Sequence, residues 1–217
     1  MTVAAFRNAE EVAAAIPLAI EHLRRGGLLA HPTETVYGLG SRLSEPDLAA
    51  LTRLKGRTAG NPFLVLISSR EMADDCGLVF TKAGQALADR FWPGPITLVL
   101  AGGEARLPDV LRGPEGGIAV RWTSQRNTAS LIRQLGEPIS STSANKPGRA
   151  TAPGVGAIVE MFKDSVAKSE LMVLDGGVLG NVPPSTLIDC TGPRARLIRE
   201  GAVPLSEIRA GIGRLAP

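Results

Sequence analysis

Five short segments of this chain concentrate side chains that could bind or polarise an anionic ligand. His31 to Gly40 (HPTETVYGLG) ends an apolar run and then sets Thr33, Glu34, Thr35 and Tyr37 beside two glycines. Hydroxyls and close-packed backbone after a strand end suit a small polar ligand, and they equally suit an ordinary turn. Lys55 to Pro62 (KGRTAGNP) places Lys55 and Arg57 on either side of a glycine, with Asn61 following. Two cations and an amide on such a loop can clamp phosphate oxygens, Arg as a planar fork and Lys as a point charge, or can simply be solvated. Arg121 stands inside the apolar run IAVRW. A buried guanidinium is costly unless paired, so its partner is either a protein carboxylate, which makes it structural, or a ligand carboxylate, which makes it an anchor. Pro138 to Thr151 carries Ser140, Ser141, Thr142, Ser143, Asn145 and Thr151. That is more hydroxyls than helix capping needs, because one N-cap uses one. Ser185 and Thr186, then Arg199, close the series. Together these residues describe a wide pocket for anions, with no activated nucleophile, no pair of catalytic carboxylates and no metal cage.

Other chemistries fail on spacing. There is no G-x-x-x-x-G-K-[ST] phosphate loop, and Gly154-Val155-Gly156 lacks the third glycine and the preceding strand of a dinucleotide fingerprint. No G-x-S-x-G elbow occurs, and His22 and His31 have no triad spacing. His22, beside Arg24 and Arg25, reads as a surface residue. Ser143 to Lys146 satisfies S-x-x-K without the partner motifs of a serine acyl-enzyme. Cys76 and Cys190 form neither a metal motif nor a disulfide framework, and read as reduced, half-buried thiols.

The elements that must hold these residues follow from periodicity and punctuation. Asn8-Ala9-Glu10-Glu11 predicts a helix start, running to Arg25 and stopping at Gly26-Gly27, with a kink or late start at Pro17. Helices are expected over 47–54, 82–91, 127–135 and 155–162. Strands are expected over 28–32, 63–67, 96–101, 118–122, 138–142, 171–174, 186–189 and 196–199. Their irregular alternation, with strands apolar on both faces, predicts an α/β domain with a mixed sheet. No repeat or low-complexity linker divides the chain, so residues 1–217 are expected to form one domain.

Bulk properties agree with a folded globular protein. The chain has 217 residues, 44% apolar and 21% charged, enough to bury roughly 70% of its unfolded surface. Aromatics at 4% argue against a stacking platform for single-stranded nucleic acid. The formal charge of +3 suits an anionic small substrate or transient RNA contact without marking a dedicated nucleic-acid binder. No secretory signal or membrane-length apolar run is present, so no membrane association and a cytoplasmic setting are expected.

The segments, in their order, resemble the YrdC family of threonylcarbamoyl-AMP synthases. The resemblance runs through Pro32 to Gly40, Lys55 and Arg57, Trp92 to Thr97, Val120-Arg121, Ser143 and Asn145, Ser185 to Asp189, and Arg199 with Gly201. It implies a YrdC-like α/β fold, a twisted mixed sheet with flanking helices and a basic concave pocket, and an ATP-dependent nucleotidyltransferase. Such an enzyme joins L-threonine, bicarbonate and ATP into threonylcarbamoyl-AMP and pyrophosphate, for threonylcarbamoyladenosine in tRNA. By matching position, Lys55, Arg57, Asn61, Ser143, Asn145, Thr151 and Arg199 would hold ATP, with Lys55, Arg57, Ser143 and Asn145 nearest the chemistry. Thr35, Arg121, Ser141 and Ser185 would hold threonine, with Arg121 facing its carboxylate. Mg²⁺ would be carried mainly by the phosphates, with no protein metal site. The product would pass to the tRNA threonylcarbamoyl-transfer machinery, with tRNA or double-stranded RNA as a further contact. The pattern departs from the family at Leu66, where many members have histidine, at His31, where an aromatic or aliphatic residue is common, and at Trp122-Thr123-Ser124. A chain ending at Pro217 matches the short, single-domain form. Two other classes remain to be separated by assay: a non-catalytic double-stranded RNA or ribosome-precursor binding module, and a carbamoyl-transfer relative on the same fold.

Overall fold

A computed structural model describes residues 2–56, 62–103, 106–180 and 182–212. The strands are β1 (Val3–Ala5), β2 (Leu28–His31), β3 (Gly38–Gly40), β4 (Leu64–Ile67), β5 (Ile96–Ala101), β6 (Gly117–Trp122), β7 (Ile139–Ser143), β8 (Leu171–Asp175), β9 (Thr186–Asp189) and β10 (Arg196–Arg199). The helices are α1 (Ala9–Arg24), α2 (Glu45–Lys55), α3 (Arg70–Asp75), α4 (Lys82–Phe91), α5 (Arg126–Leu135), α6 (Val155–Met161), α7 (Lys163–Ala167) and α8 (Leu205–Ile212). Among the described residues the strands form one mixed sheet ordered β1-β8-β2-β3-β7-β4-β6-β5-β9-β10.

Strand alternation sorts the side chains onto two faces. Ala30, Val65, Ile67, Leu98, Ile118, Val120 and Ile188 belong to the larger apolar cluster, which α2, α4, α6 and α8 cover with Leu48, Leu51, Leu87, Ile158 and Ile208. Leu29, Leu66, Ile139 and Met172 point the other way, into a second cluster with Ile16, Leu23, Leu131 and Ile132 of α1 and α5. Those two helices blanket only part of the second face. Thr97, Arg121, Ser141 and Ser185 share that face by the same alternation, beyond the helices' reach.

Local chemistry sets the element boundaries. Asn8 caps α1 by accepting from the Glu11 amide at 3.0 Å, and the helix runs through Pro17 without interruption. The expected late start does not occur, because the cap and the buried stripe Val12, Ala15, Ile16, Ala19 and Leu23 outweigh one missing amide donor. His22 is half-buried rather than a surface residue. Its Nε2 lies 2.9 Å from the Leu28 carbonyl, and a Cβ at Gly27 would come within 2.3 Å of the ring. It therefore fastens the end of α1 to the start of β2, and burial lowers its pKa. Ser44 caps α2 through the Asp47 amide, so that helix starts earlier than its proline suggests. Both cysteines are free and buried, not half-exposed.

Strand β3 lies in a segment for which the sequence predicts no strand. Its sequence, Gly-Leu-Gly, has little strand propensity, yet it pairs antiparallel with both β2 and β7. The glycines are required sterically. A Cβ on Gly40 would lie 2.4 Å from the Ser140 carbonyl oxygen, and one on Gly38 would lie 2.7 Å from Ser141 Oγ and 2.8 Å from the His31 ring. Gly40→Ala is expected to lower the unfolding free energy by about 1–3 kcal/mol through overpacking. Gly156→Ala in α6, with open space around it, should raise it by about 0.5 kcal/mol. Urea denaturation of the two variants checks both signs.

Candidate functional site

The uncovered part of the second sheet face forms a cavity of about 300 Å³. Thr33, Thr35 and Gly38 line it from the β2–β3 side, Leu64, Thr97, Ala119 and Arg121 from the sheet floor, and Ser141, Thr142, Ser143 and Thr151 from β7 and its following loop. Pro184, Ser185, Leu187 and Arg199 close the far wall. Among the candidate residues, Thr35, Arg121, Ser141, Ser143, Thr151, Ser185 and Arg199 thus meet in one cavity. Arg57 and Asn61 lie outside the described residues.

Arg121 sits at the centre of this arrangement and is 4% exposed. Glu34 is its carboxylate neighbour, with Nε 3.5 Å from Oε1, but the pair is misaligned: neither atom has a hydrogen-bond partner. The other Glu34 oxygen is taken by the Thr123 hydroxyl at 2.5 Å. One Arg121 terminal nitrogen approaches the Thr35 hydroxyl at 3.5 Å. Burial lowers the Arg121 pKa, Glu34 opposes that shift, and Arg199 adds to it as a nearby like charge. Among the described residues, two cations therefore address the cavity against one poorly aligned carboxylate. A buried guanidinium left this way favours an incoming anion.

The hydroxyl walls are positioned by their own bonds. Thr33 Oγ1 accepts from the amides of Thr35 and Val36 and donates to the Val36 carbonyl, which shapes the turn presenting Thr35. Ser185 Oγ is 2.8 Å from Thr97 Oγ1, and the Ser185 carbonyl accepts from Arg199 at 2.9 Å. Gly201 permits this close return of the chain, since a Cβ there would meet the Pro184 carbonyl oxygen at 2.1 Å. The turn before β5 is fixed by Trp92 Nε1 donating to the Ile96 carbonyl at 2.9 Å, which brings Thr97 onto the cavity floor.

Lys55 differs from the loop position expected for it. It is the last residue of α2 and 7% exposed. Its ammonium donates to the Ser143 and Asn145 carbonyls, both at 2.6 Å, and also meets Ser143 Oγ and Asn145 Oδ1. Asn145 Nδ2 in turn donates to the Arg149 carbonyl at 2.6 Å. Lys55 thus ties α2 to the loop that presents Ser143 and Thr151, and it reaches the cavity through Ser143. Leu66, aligned with Arg121 across β4 and β6, is fully buried in the cluster under α1 and α5.

Four residues of the site carry weak or no sequence signals. Thr97 sits in the quoted Trp-Pro-Gly-Pro segment, but its hydroxyl bond to Ser185 joins positions far apart in the chain. Glu34 and Thr123 become relevant only as neighbours of Arg121. His31 is completely buried, and its Nε2 is 3.5 Å from Ser141 Oγ. Burial, with Arg121 nearby, lowers its pKa to about 4 against the opposing Pro32 carbonyl.

Comparison with known proteins converges on one group. A family model described as Sua5_yciO_yrdC, telomere recombination, matches residues 21–201. A threonylcarbamoyl-AMP synthase of Pyrococcus abyssi is 36% identical over 201 residues, covering 92% of this chain and 58% of its own length. One from Thiobacillus denitrificans is 38% identical, covering 77% of this chain and 87% of its own length. This chain therefore spans little more than half of the first relative and most of the second. Among solved structures, Pyrococcus abyssi Sua5 complexed with L-threonine superposes with a TM-score of 0.87 at 34% identity, covering 99% of this chain and 62% of that one. Escherichia coli YciO superposes with a TM-score of 0.80 at 25% identity, covering 95% of this chain and 97% of that one.

The His31 environment makes stability depend on acidity. The folded state holds the imidazole neutral, so its contribution is fully present above about pH 6.5 and is lost as the pH falls toward about 4. Relative to His31→Phe, the wild-type protein should lose about 3 kcal/mol across that window, since each unit of pKa shift corresponds to about 1.4 kcal/mol. Chemical denaturation at stepped pH measures the difference.

Proposed function

Because this chain belongs to the Sua5, YciO and YrdC family, matched over residues 21–201, we propose that it is a threonylcarbamoyl-AMP synthase. It uses ATP, L-threonine and bicarbonate to form threonylcarbamoyl-adenylate and pyrophosphate. The observation that carries this reading is Arg121, a buried guanidinium beside the cavity whose carboxylate neighbour is misaligned. An amino-acid carboxylate supplies the missing bidentate partner.

In this reading Arg121 anchors the threonine carboxylate, while Thr35, Ser141 and Ser185 bind its remaining polar groups. ATP lies along the opposite rim. Arg57, Asn61, Ser143, Asn145, Thr151 and Arg199 hold its phosphates and nucleoside, and Lys55 adds positive charge behind Ser143. A carbamate oxygen, formed when the threonine amine takes up bicarbonate-derived carbon dioxide, attacks the α-phosphorus, and pyrophosphate leaves. Chemistry of this kind depends on positioning and charge neutralisation more than on covalent help from the protein. The cavity suits that demand, being lined by cations and hydroxyls.

Among the described residues no group of three His, Cys, Asp or Glu side chains is gathered to hold a metal ion. Mg²⁺ would arrive on the ATP phosphates and supply charge neutralisation there, beside the hydroxyls and Arg199 that line the cavity. We further propose that residues 1–217 act as one folded unit in the cytoplasm, where ATP and tRNA occur together. The labile adenylate then passes to the enzymes that transfer the threonylcarbamoyl group to tRNA, with a direct RNA contact as part of that hand-over.

Pyrophosphate release from ATP and bicarbonate, with and without L-threonine, tests the proposal. Release is expected only when threonine is present. Threonine-independent release, or salt-sensitive RNA binding without any release, overturns it. Arg121→Gln should lower kcat/KM for threonine by roughly 30-fold to several thousand-fold, because truncating one partner of a desolvated charge pair costs about 2–5 kcal/mol. Thermal unfolding of the same variant verifies that it is folded.

A further inference from the structure

His31 is not a wall of the cavity, yet its ring touches one. It leaves β2 on the same face as Arg121 and crosses over β3, whose glycines provide the slot. A Cβ on Gly38 would lie 2.7 Å from Ser141 Oγ and within 2.8 and 2.9 Å of two His31 ring atoms. Gly38 therefore sits at the junction of the two side chains, and any larger residue would separate them. Ser141, on the far side of that junction, lines the cavity.

The hydrogen-bonding arithmetic at Ser141 is restrictive. A serine hydroxyl has one proton and two acceptor sites. A neutral imidazole has one N–H and one acceptor nitrogen. His31 is wholly buried near the Arg121 guanidinium, which excludes a second positive charge there. Its Nδ1 is buried without a hydrogen-bond partner, the Pro32 carbonyl is the backbone acceptor that acts on the ring, and the Ser141 hydroxyl is the polar contact of Nε2; the proton is assigned to Nδ1, which leaves Nε2 as the acceptor at Ser141. The Nε2···Oγ separation of 3.5 Å lies at the long end of the hydrogen-bonding range.

The geometry points to His31 as a positioning residue that accepts the Ser141 hydroxyl proton in a hydrogen bond and leaves Ser141 facing the cavity purely as an acceptor. The subsite at Ser141 is then selective for an N–H or O–H group. Resting on the threonine reading above, this assigns it to the amine-derived N–H of the amino acid, while Arg121 takes the carboxylate. The two ends of the substrate are thereby told apart: a carboxylate swung toward Ser141 would meet lone pairs, and an ammonium swung toward Arg121 would meet a like charge. His31 touches no substrate and acts only through Ser141.

A double-mutant cycle of His31→Phe and Ser141→Ala tests this, with His31→Gln as the variant that keeps an acceptor. Phenylalanine retains the ring volume in the glycine slot and removes the nitrogen. His31→Phe should raise the threonine KM about tenfold, with the ATP KM unchanged. Ser141→Ala should do likewise, the double variant should be no worse than Ser141→Ala alone, and His31→Gln should recover most of the loss. Additive effects, or a silent His31→Phe, overturn the proposal. A second measurement needs no catalysis: nitrogen-15 NMR of the His31 ring in the wild-type protein and in Ser141→Ala. An Nδ1–H tautomer whose Nε2 resonance shifts on removing the serine hydroxyl supports the proposal. An Nε2–H tautomer, or a resonance indifferent to Ser141, sinks it whether or not threonine is the substrate. If instead the ring responds as expected but neither calorimetry nor pyrophosphate release detects threonine, the threonine reading fails and the positioning role stands.

Discussion

The organisation of this protein turns on one unfavourable act, the burial of the Arg121 guanidinium in the floor of a sheet. Taking an ion out of water costs several kcal/mol, and a carboxylate neighbour offsets that only with good geometry. Glu34 stands close enough to keep the cation charged but is misaligned with it, and Thr123 engages its other oxygen. The charge is stabilised enough to persist and left available enough to bind. Arg199 across the cavity increases the positive potential, and hydroxyls on three walls offer hydrogen bonds without neutralising it.

Such a residue survives only if the backbone around it is held firmly, and much of the fold serves that end. The larger apolar cluster anchors one face of β2, β3, β4, β5, β6, β8 and β9. On the other face α1 and α5 stop short, so the same alternation that drives Leu29, Leu66 and Ile139 into a core brings Arg121, Thr97 and Ser141 to an open recess. Strand β3 contributes almost no side-chain bulk, and that is its role: its glycines let β2 and β7 approach across it, through His31, Ser141 and the Ser140 carbonyl. Tyr37 fastens the same strand to the distant turn after β8, donating to the Gly177 carbonyl at 2.7 Å and accepting from the Gly176 amide at 2.9 Å.

Long-range ties also set the rim. Lys55 joins the end of α2 to residues 143 and 145, far along the chain, donating to their backbone carbonyls and meeting their side-chain oxygens. Its contribution is therefore first to the shape of the loop that presents Ser143 and Thr151. Thr186, buried beneath Ser185, donates to the Val203 carbonyl and accepts from the amides of Gly201 and Val203. That bonding holds the C-terminal wall, with Arg199, against the sheet. Residues that look alike in composition thus divide into those that face the ligand space and those that brace it.

Periodicity and punctuation determined most elements and the mixed α/β class, and the crowding of polar side chains along the chain marked Thr35, Arg121, Ser141, Ser143, Thr151, Ser185 and Arg199 of the cavity. Local signals suffice for these: an asparagine cap and apolar stripe mark α1, continuous apolar runs mark β4 and β5, and a lone arginine among apolar neighbours marks Arg121. Tertiary structure alone decided that Gly38-Leu39-Gly40 is a strand, that His22 is a structural tie, that Lys55 points at carbonyl oxygens, and that Glu34 pairs imperfectly with Arg121. Each of these depends on an atom contributed from elsewhere in the chain or on the angle at which two groups meet. A glycine becomes a strand residue here because an imidazole and a serine from two other strands leave room for nothing larger, and no property of the glycine itself records that.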